Sequence, residues 1–177
     1  NDLMFDKSPY KVASTRLPWL VITFLGEIVA GLVVTFFQGK ITDFAILVTF
    51  MPIVMAMGGN VGSQSATVAM GKIDTSRWSR VIFKEIVVGI LMGLVIGILL
   101  GVVAPFWEGD YKLGIIVGVA IFAAMLFASI TGSLVPITLM KLKFDPAIAS
   151  APFITALNDI TGLTIYFLIS MTLLTIL

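Results

Sequence analysis

The sequence predicts an all-α membrane protein of five transmembrane helices. Two observations carry that prediction. The 177 residues are 59% hydrophobic and only 12% charged, with a mean hydropathy of +1.11. Soluble domains carry about 25% charged residues, and half of that leaves too little polar surface for a chain of this size to stay in water. The second observation is length. Five stretches reach the ~20 apolar residues that cross a hydrocarbon core.

The first stretch is Leu17–Phe37, opening on Pro18 as a helix start and Trp19 as an interface anchor. The second is Phe44–Met70, apolar at first and then rich in Gly, Ser, Asn and Gln. Val81–Ala104, Leu113–Leu139 and Ala147–Leu177 follow. Unpaired backbone groups are too costly in lipid, so each stretch is expected to be helical. The alternation of a β-barrel strand is absent. Residues 1–16 have no apolar run and are not a signal peptide. They read as a linker before a membrane domain spanning 17–177, and a chain that opens on Asn1 is expected to be part of a longer protein.

Orientation follows from Lys and Arg. Lys7, Lys11, Arg16, Lys72, Arg77, Arg80, Lys84, Lys141 and Lys143 fall on one side of the five spans, and Lys40 and Lys112 on the other. The N-terminus is therefore expected in the cytoplasm and the C-terminus outside.

Several chemistries are excluded. There is no Cys and no His, so disulfides, thiolate or imidazole metal sites and the usual catalytic triads are ruled out. Oxygen ligands remain, and these suit hard cations. An intramembrane protease would need paired catalytic acids, a Ser-His pair or zinc ligands. No basic, aromatic-interleaved tract points to nucleic acid, and no enzyme is expected.

Two acids lie deep in apolar spans, Asp159 in the fifth and Glu27 in the first. A charge at that depth costs roughly 2.5 kcal/mol or more, and it usually faces water, a partner or an ion. No Lys or Arg lies at comparable depth to pair with either. Thr155, Asp159, Gly162 and Tyr166 share a helical face, flanked by Asn158 and Thr161. The favoured reading is a pore or cation-site lining, with the carbonyls and hydroxyls of Thr155 and Ala156 as further acceptors. The alternative is a protonated Asp159 hydrogen-bonded between helices. Glu27 has mostly small neighbours and reads equally as an interhelical hydrogen-bonding residue or an accessory acid.

In the second span Asn60, Gln64, Thr67 and Gly71 recur on one face. Pro52 and Gly58-Gly59 disfavour a straight helix. A bent helix lining an aqueous path is preferred to a tight small-residue interface. In the third span Gly89, Gly93, Gly97 and Gly101 form one face, a signal for close helix packing. Asp145-Pro146 reads as a helix cap and first turn.

Met51-Pro52-Ile53-Val54 followed by Met57-Gly58-Gly59-Asn60-Val61-Gly62-Ser63-Gln64 resembles the second-helix signature of MgtE-type magnesium channels. Ser133-Leu134-Val135-Pro136, Asp145-Pro146-Ala147, Ser150-Ala151-Pro152-Phe153 and Asn158-Asp159-Ile160-Thr161-Gly162-Leu163 are similar to that family too. The likeness runs from Leu17 to the C-terminus.

The resemblance implies a C2 homodimer in the plasma (inner) membrane of a prokaryote, with an ion path on the dimer axis. It implies Mg²⁺ as the transported ion, Asp159 as the central Mg²⁺-binding acid, Asp145 as a second Mg²⁺ contact and Asn60 as pore lining. It also implies cytosolic CBS-type regulatory domains that these residues do not include, residues 1–16 being the end of the connecting helix. The expected function is a Mg²⁺-selective channel pore. Two alternatives stay open: a proton-coupled secondary transporter using Asp159 or Glu27, and a non-conducting membrane assembly module.

Overall fold

The computed structural model describes residues 8–41, 44–71, 78–142 and 146–177. Five α-helices follow one another: α1 (Pro9–Gln38), α2 (Phe44–Met70), α3 (Trp78–Glu108), α4 (Tyr111–Lys141) and α5 (Pro146–Ile176). All five are long and apolar enough to cross a membrane. At 1.5 Å per residue they measure about 40–46 Å, longer than the ~30 Å hydrocarbon core.

Two helix boundaries lie well outside those read in the sequence. α1 starts at Pro9, and Pro18 lies inside it rather than opening it. α3 runs past Ala104 through Pro105 to Glu108. α2 is helical without interruption through Pro52 and Gly58-Gly59. Each helix in fact carries one internal proline: Pro18, Pro52, Pro105, Pro136 and Pro152. In water an interior proline costs ~3 kcal/mol. Within a bundle in lipid, neighbouring helices and local adjustment absorb the freed carbonyl, so proline is weaker punctuation.

The α3–α4 connection is the tightest. Gly109 has φ +77°, which only glycine adopts without strain, and its N–H donates to the Pro105 carbonyl at 2.8 Å. Asp110 then caps α4 by accepting from the Lys112 N–H at 2.9 Å.

α4 is the central helix, packed against α2, α3 and α5, while α1 sits on α5. The difference is large: 61% of the most apolar stretch of α4 is buried within the chain, against 17% of that of α1. Leu47, Phe50, Ile116, Ile121, Met125, Tyr166 and Phe167 form the fully buried core. Tyr166 belongs to that core and not to a polar lining. Its hydroxyl donates to the Leu47 carbonyl of α2 at 3.0 Å, which ties α5 to α2.

Glycine sets how closely α3 and α4 approach. Gly89, Gly93, Gly97 and Gly101 all turn to α4. A methyl at Gly97 would lie 2.7 Å from the Gly118 carbonyl oxygen, one at Gly118 the same distance from Gly97, and one at Gly93 3.0 Å from the Phe122 carbonyl oxygen. Gly62 and Gly132 make a second backbone-to-backbone crossing, between α2 and α4. With no hydrophobic driving force between helices in lipid, close van der Waals approach is what holds such crossings.

Candidate functional site

α2 and α5 together form a groove of about 350 Å³. It is lined by Met55, Ala56, Gly59, Asn60 and Ser63 from α2 and by Thr155 and Asp159 from α5. The residues fall at helical repeats, 55/56/59/60/63 on one helix and 155/159 on the other, so one face of each is presented to the same space. Asp159 is near the middle of its helix and only 6% exposed, with its side chain at the groove wall.

Glu27, half-buried near the middle of α1, lies close enough to Asp159 for the two carboxyl groups to interact. The two acids that the sequence placed in separate apolar spans are thus neighbours. No Lys or Arg occurs in α1 after Arg16, in α2, or in α5. Among the described residues no group of three or more His, Cys, Asp or Glu converges to hold a metal.

The remaining sequence candidates divide by location. Asn60 and Thr155 line the groove with Asp159. Gln64 and Thr67 are exposed and continue the polar face of α2 beyond the groove, toward the C-terminal end of that helix. Gly162 is buried, yet a methyl there would meet nothing within 4 Å, and the same is true of Gly58 and Gly59.

Ala156 and Asn158 face elsewhere. The Cβ of Ala156 packs on Gly26 of α1. Asn158 is 2% exposed and points at α4, where its Oδ1 accepts from Thr131 Oγ1 at 2.6 Å. Its Nδ2 has no hydrogen-bond partner and lies where a side chain at Gly62 would have to go. Asn158 therefore holds α5 against α4 and α2, with its neighbour Asp159 turned to the groove. Asp145 lies outside the described residues.

Ser63 was missed in the sequence and lines the groove. The signal was available: Asn60, Ser63, Gln64 and Thr67 follow i, i+3, i+4, i+7 spacing. Glu85 was missed as well. It lies in the first turns of α3 beside Lys84, which made it look like part of an exposed helix end, yet it is 4% exposed. Its backbone carbonyl accepts from Ser129 Oγ at 2.6 Å, and Ser129 Oγ lies 3.2 Å from Ser65 Oγ, a polar link across α3, α4 and α2.

Comparison with known proteins gives consistent matches. The family model described as "MgtE: Divalent cation transporter" matches residues 51–169. The chain is 36% identical over 171 residues to the magnesium transporter MgtE of Bacillus subtilis, covering 94% of this chain and 38% of that protein. It is 37% identical over 168 residues to the magnesium transporter MgtE of Enterococcus faecalis, covering 92% and 37%. It is 35% identical over 179 residues to the magnesium transporter MgtE of Thermus thermophilus, covering 98% and 40%. The chain spans less than half the length of each of these curated relatives.

Proposed function

Since this chain belongs to the MgtE family, a family of divalent-cation transporters and not of enzymes, we propose that it forms the ion-conducting part of a Mg²⁺ channel. It is an integral membrane protein with five spanning helices. We assign the N-terminus to the cytoplasm and the C-terminus to the outside, on the nine-to-two distribution of Lys and Arg over the two sides.

One observation carries the reading: a carboxylate near the middle of a helix long and apolar enough to span a membrane opens onto a groove with polar residues in its walls. Lipid is a poor neighbour for Asp159, Asn60, Ser63 and Thr155. A twofold-related copy of the chain facing this groove would enclose it, and two Asp159 carboxylates would then approach one axis.

The chemistry follows from the ion. Mg²⁺ dehydrates reluctantly and usually keeps several waters. Six waters at roughly 30 Å³ each occupy about 180 Å³, which a groove of about 350 Å³ accommodates. The hydrated ion presents water protons outward. Carboxylate, amide, hydroxyl and carbonyl oxygens accept them, and negative charge favours a divalent over a monovalent ion. Among the described residues no three acids converge on one point, and that suits recognition through the water shell.

The exposed Gln64 and Thr67 extend the hydrophilic path along α2, and the free space at Gly162 continues it along α5. Asp145 is assigned to the cytoplasmic mouth on the family likeness alone. The regulatory CBS-type domains would lie in the part of the protein outside this chain.

The test is Mg²⁺ flux into liposomes holding the protein, wild type beside Asp159→Asn. A channel passes a current that reverses at the Mg²⁺ equilibrium potential, and the substitution removes it while the dimer stays folded. A reversal that moves with a pH gradient instead identifies a proton-coupled carrier. No flux from folded wild-type protein leaves only an assembly module.

A further inference from the structure

We propose that Glu27 is a second cation-recognising carboxylate, so that each chain contributes two acids to the site, one from α1 and one from α5. The inference rests on the reading of the α2–α5 groove as an ion site.

The placement comes from the packing of α1 on α5. Three contacts set these helices side by side and parallel, in a register that holds to within one residue. Thr23 Oγ1 lies 3.5 Å from the Pro152 carbonyl oxygen. Gly26 lies against Ala156. The rings of Phe37 and Phe167 stack at 5.3 Å. Gly26 presents only hydrogen to Ala156, and this close approach brings the next residue, Glu27, to the level of the Asp159 turn. The two carboxyl groups are close enough there to interact.

Two roles are chemically distinct. Glu27 can be a neutral carboxylic acid that donates a hydrogen bond to Asp159 and steadies it. Or it can be a carboxylate, in which case two like charges sit together at membrane depth and need a counter-charge of +2. With two chains around one axis the site then holds up to four negative charges, and a divalent ion with its water shell offsets twice as many of them as a monovalent ion does. Each carboxylate has about four acceptor positions, so the second acid also doubles the hydrogen bonds open to bound water.

Three features favour the charged role. No basic side chain lies in the middle of α1, α2 or α5 to neutralise the pair. The neighbouring groove is lined by neutral acceptors and not by hydrocarbon alone. Glu27 is also only half-buried, beside Asp159 at the groove wall.

Glu27→Gln separates the roles, because an amide of the same size still donates to Asp159 but carries no charge. Two readouts are taken on the reconstituted or purified protein: the Mg²⁺ concentration for half-maximal flux, and the Mg²⁺-dependent rise in Tm. A charged Glu27 predicts that both midpoints move to Mg²⁺ concentrations about tenfold higher in Glu27→Gln. It also predicts a fall in Mg²⁺-over-K⁺ selectivity.

Unchanged midpoints in Glu27→Gln, with flux lost in Asp159→Asn, overturn the role of Glu27 and leave the groove reading standing. Full flux in Asp159→Asn removes the groove reading and this inference with it. Should Glu27→Gln not yield folded protein, Glu27→Asp decides. A carboxylate drawn back by one methylene must shift both midpoints upward, and unchanged midpoints overturn the proposal.

Discussion

The α3–α4 crossing and the α2–α5 face each carry a groove, of about 360 and 350 Å³. Their chemistry is opposite. The first is lined by Leu94, Ile98, Ile115, Val119 and Phe122 with four glycines, and no polar side chain enters it. The second holds Asp159, Asn60, Ser63 and Thr155. Space alone does not mark a site in a membrane protein, since lipid fills apolar clefts without cost. A cleft whose walls want water or charge is the informative one.

The glycines differ in the same way. At Gly93, Gly97, Gly101, Gly114 and Gly118 an added methyl meets the backbone of the opposite helix, and the missing side chain is what allows contact. At Gly58, Gly59 and Gly162 it meets nothing, and the missing side chain leaves free volume. One residue type serves closure at the α3–α4 crossing and leaves space open on α2 and α5.

Charge removal in the polar groove should give the largest effect. If each of two symmetry-related Asp159 carboxylates contributes about 1.4 kcal/mol to holding the ion, Asp159→Asn lowers Mg²⁺ flux about a hundredfold. Folded yield and Tm should stay close to wild type, because asparagine fits the same space and no basic partner is orphaned. A variant that unfolds instead would make Asp159 a structural residue and erase the contrast between the regions.

Bulk at the glycine crossing should do the reverse. Gly93→Leu or Gly118→Val drives a side chain toward a carbonyl oxygen 3.0 or 2.7 Å from the Cβ position. Overpacking of this kind costs about 1–3 kcal/mol. Tm and yield in detergent should fall, while flux per folded molecule and ion selectivity hold. Changed selectivity in a stable Gly93→Leu protein would place the crossing in the ion path.

A smaller effect is expected where α4 positions α5. Thr131→Val removes the hydrogen bond to Asn158 Oδ1 and leaves a buried amide with no partner at all, at a cost of about 1–3 kcal/mol. Asp159 is adjacent in sequence, so flux should fall by a few-fold together with Tm. Flux that survives unchanged beside a lowered Tm would separate the Asn158 anchor from the site.

Most of the fold was legible because the bilayer constrains it so strongly. Five apolar stretches gave five helices, and the glycine ladder named the α3 face that meets α4. Proline misled at helix ends, at Pro18 and Pro105, because its cost in water does not carry over to a packed bundle. Among the residues lining the α2–α5 groove, Asp159, Asn60 and Thr155 could be found from polarity in an apolar span and helical spacing. Three things could not. That Glu27 meets Asp159 depends on which helix α1 packs against. That Asn158 turns to α4 depends on the rotation of α5, since a polar residue beside Asp159 looks the same in sequence whether it lines a path or braces a helix. Glu85 was hidden by Lys84, as two adjacent charges suggest an exposed end and burial is decided by the neighbours.

The finest test concerns a glycine in the open region. Gly162 is buried, but the space ahead of its missing side chain is empty. Inside a helix, alanine is favoured over glycine by up to about 1 kcal/mol through backbone entropy. Gly162→Ala should therefore raise Tm slightly, the opposite of Gly118→Val. If the space belongs to the ion path one turn from Asp159, the new methyl also narrows it, and flux should drop by about twofold with an unchanged half-saturating Mg²⁺ concentration, since no acceptor of the ion's waters is lost. A rise in Tm with full flux would mean that the emptiness beside Gly162 lies off the path. A fall in Tm would mean that a neighbouring chain occupies it, and that this glycine belongs with those of the α3–α4 crossing after all.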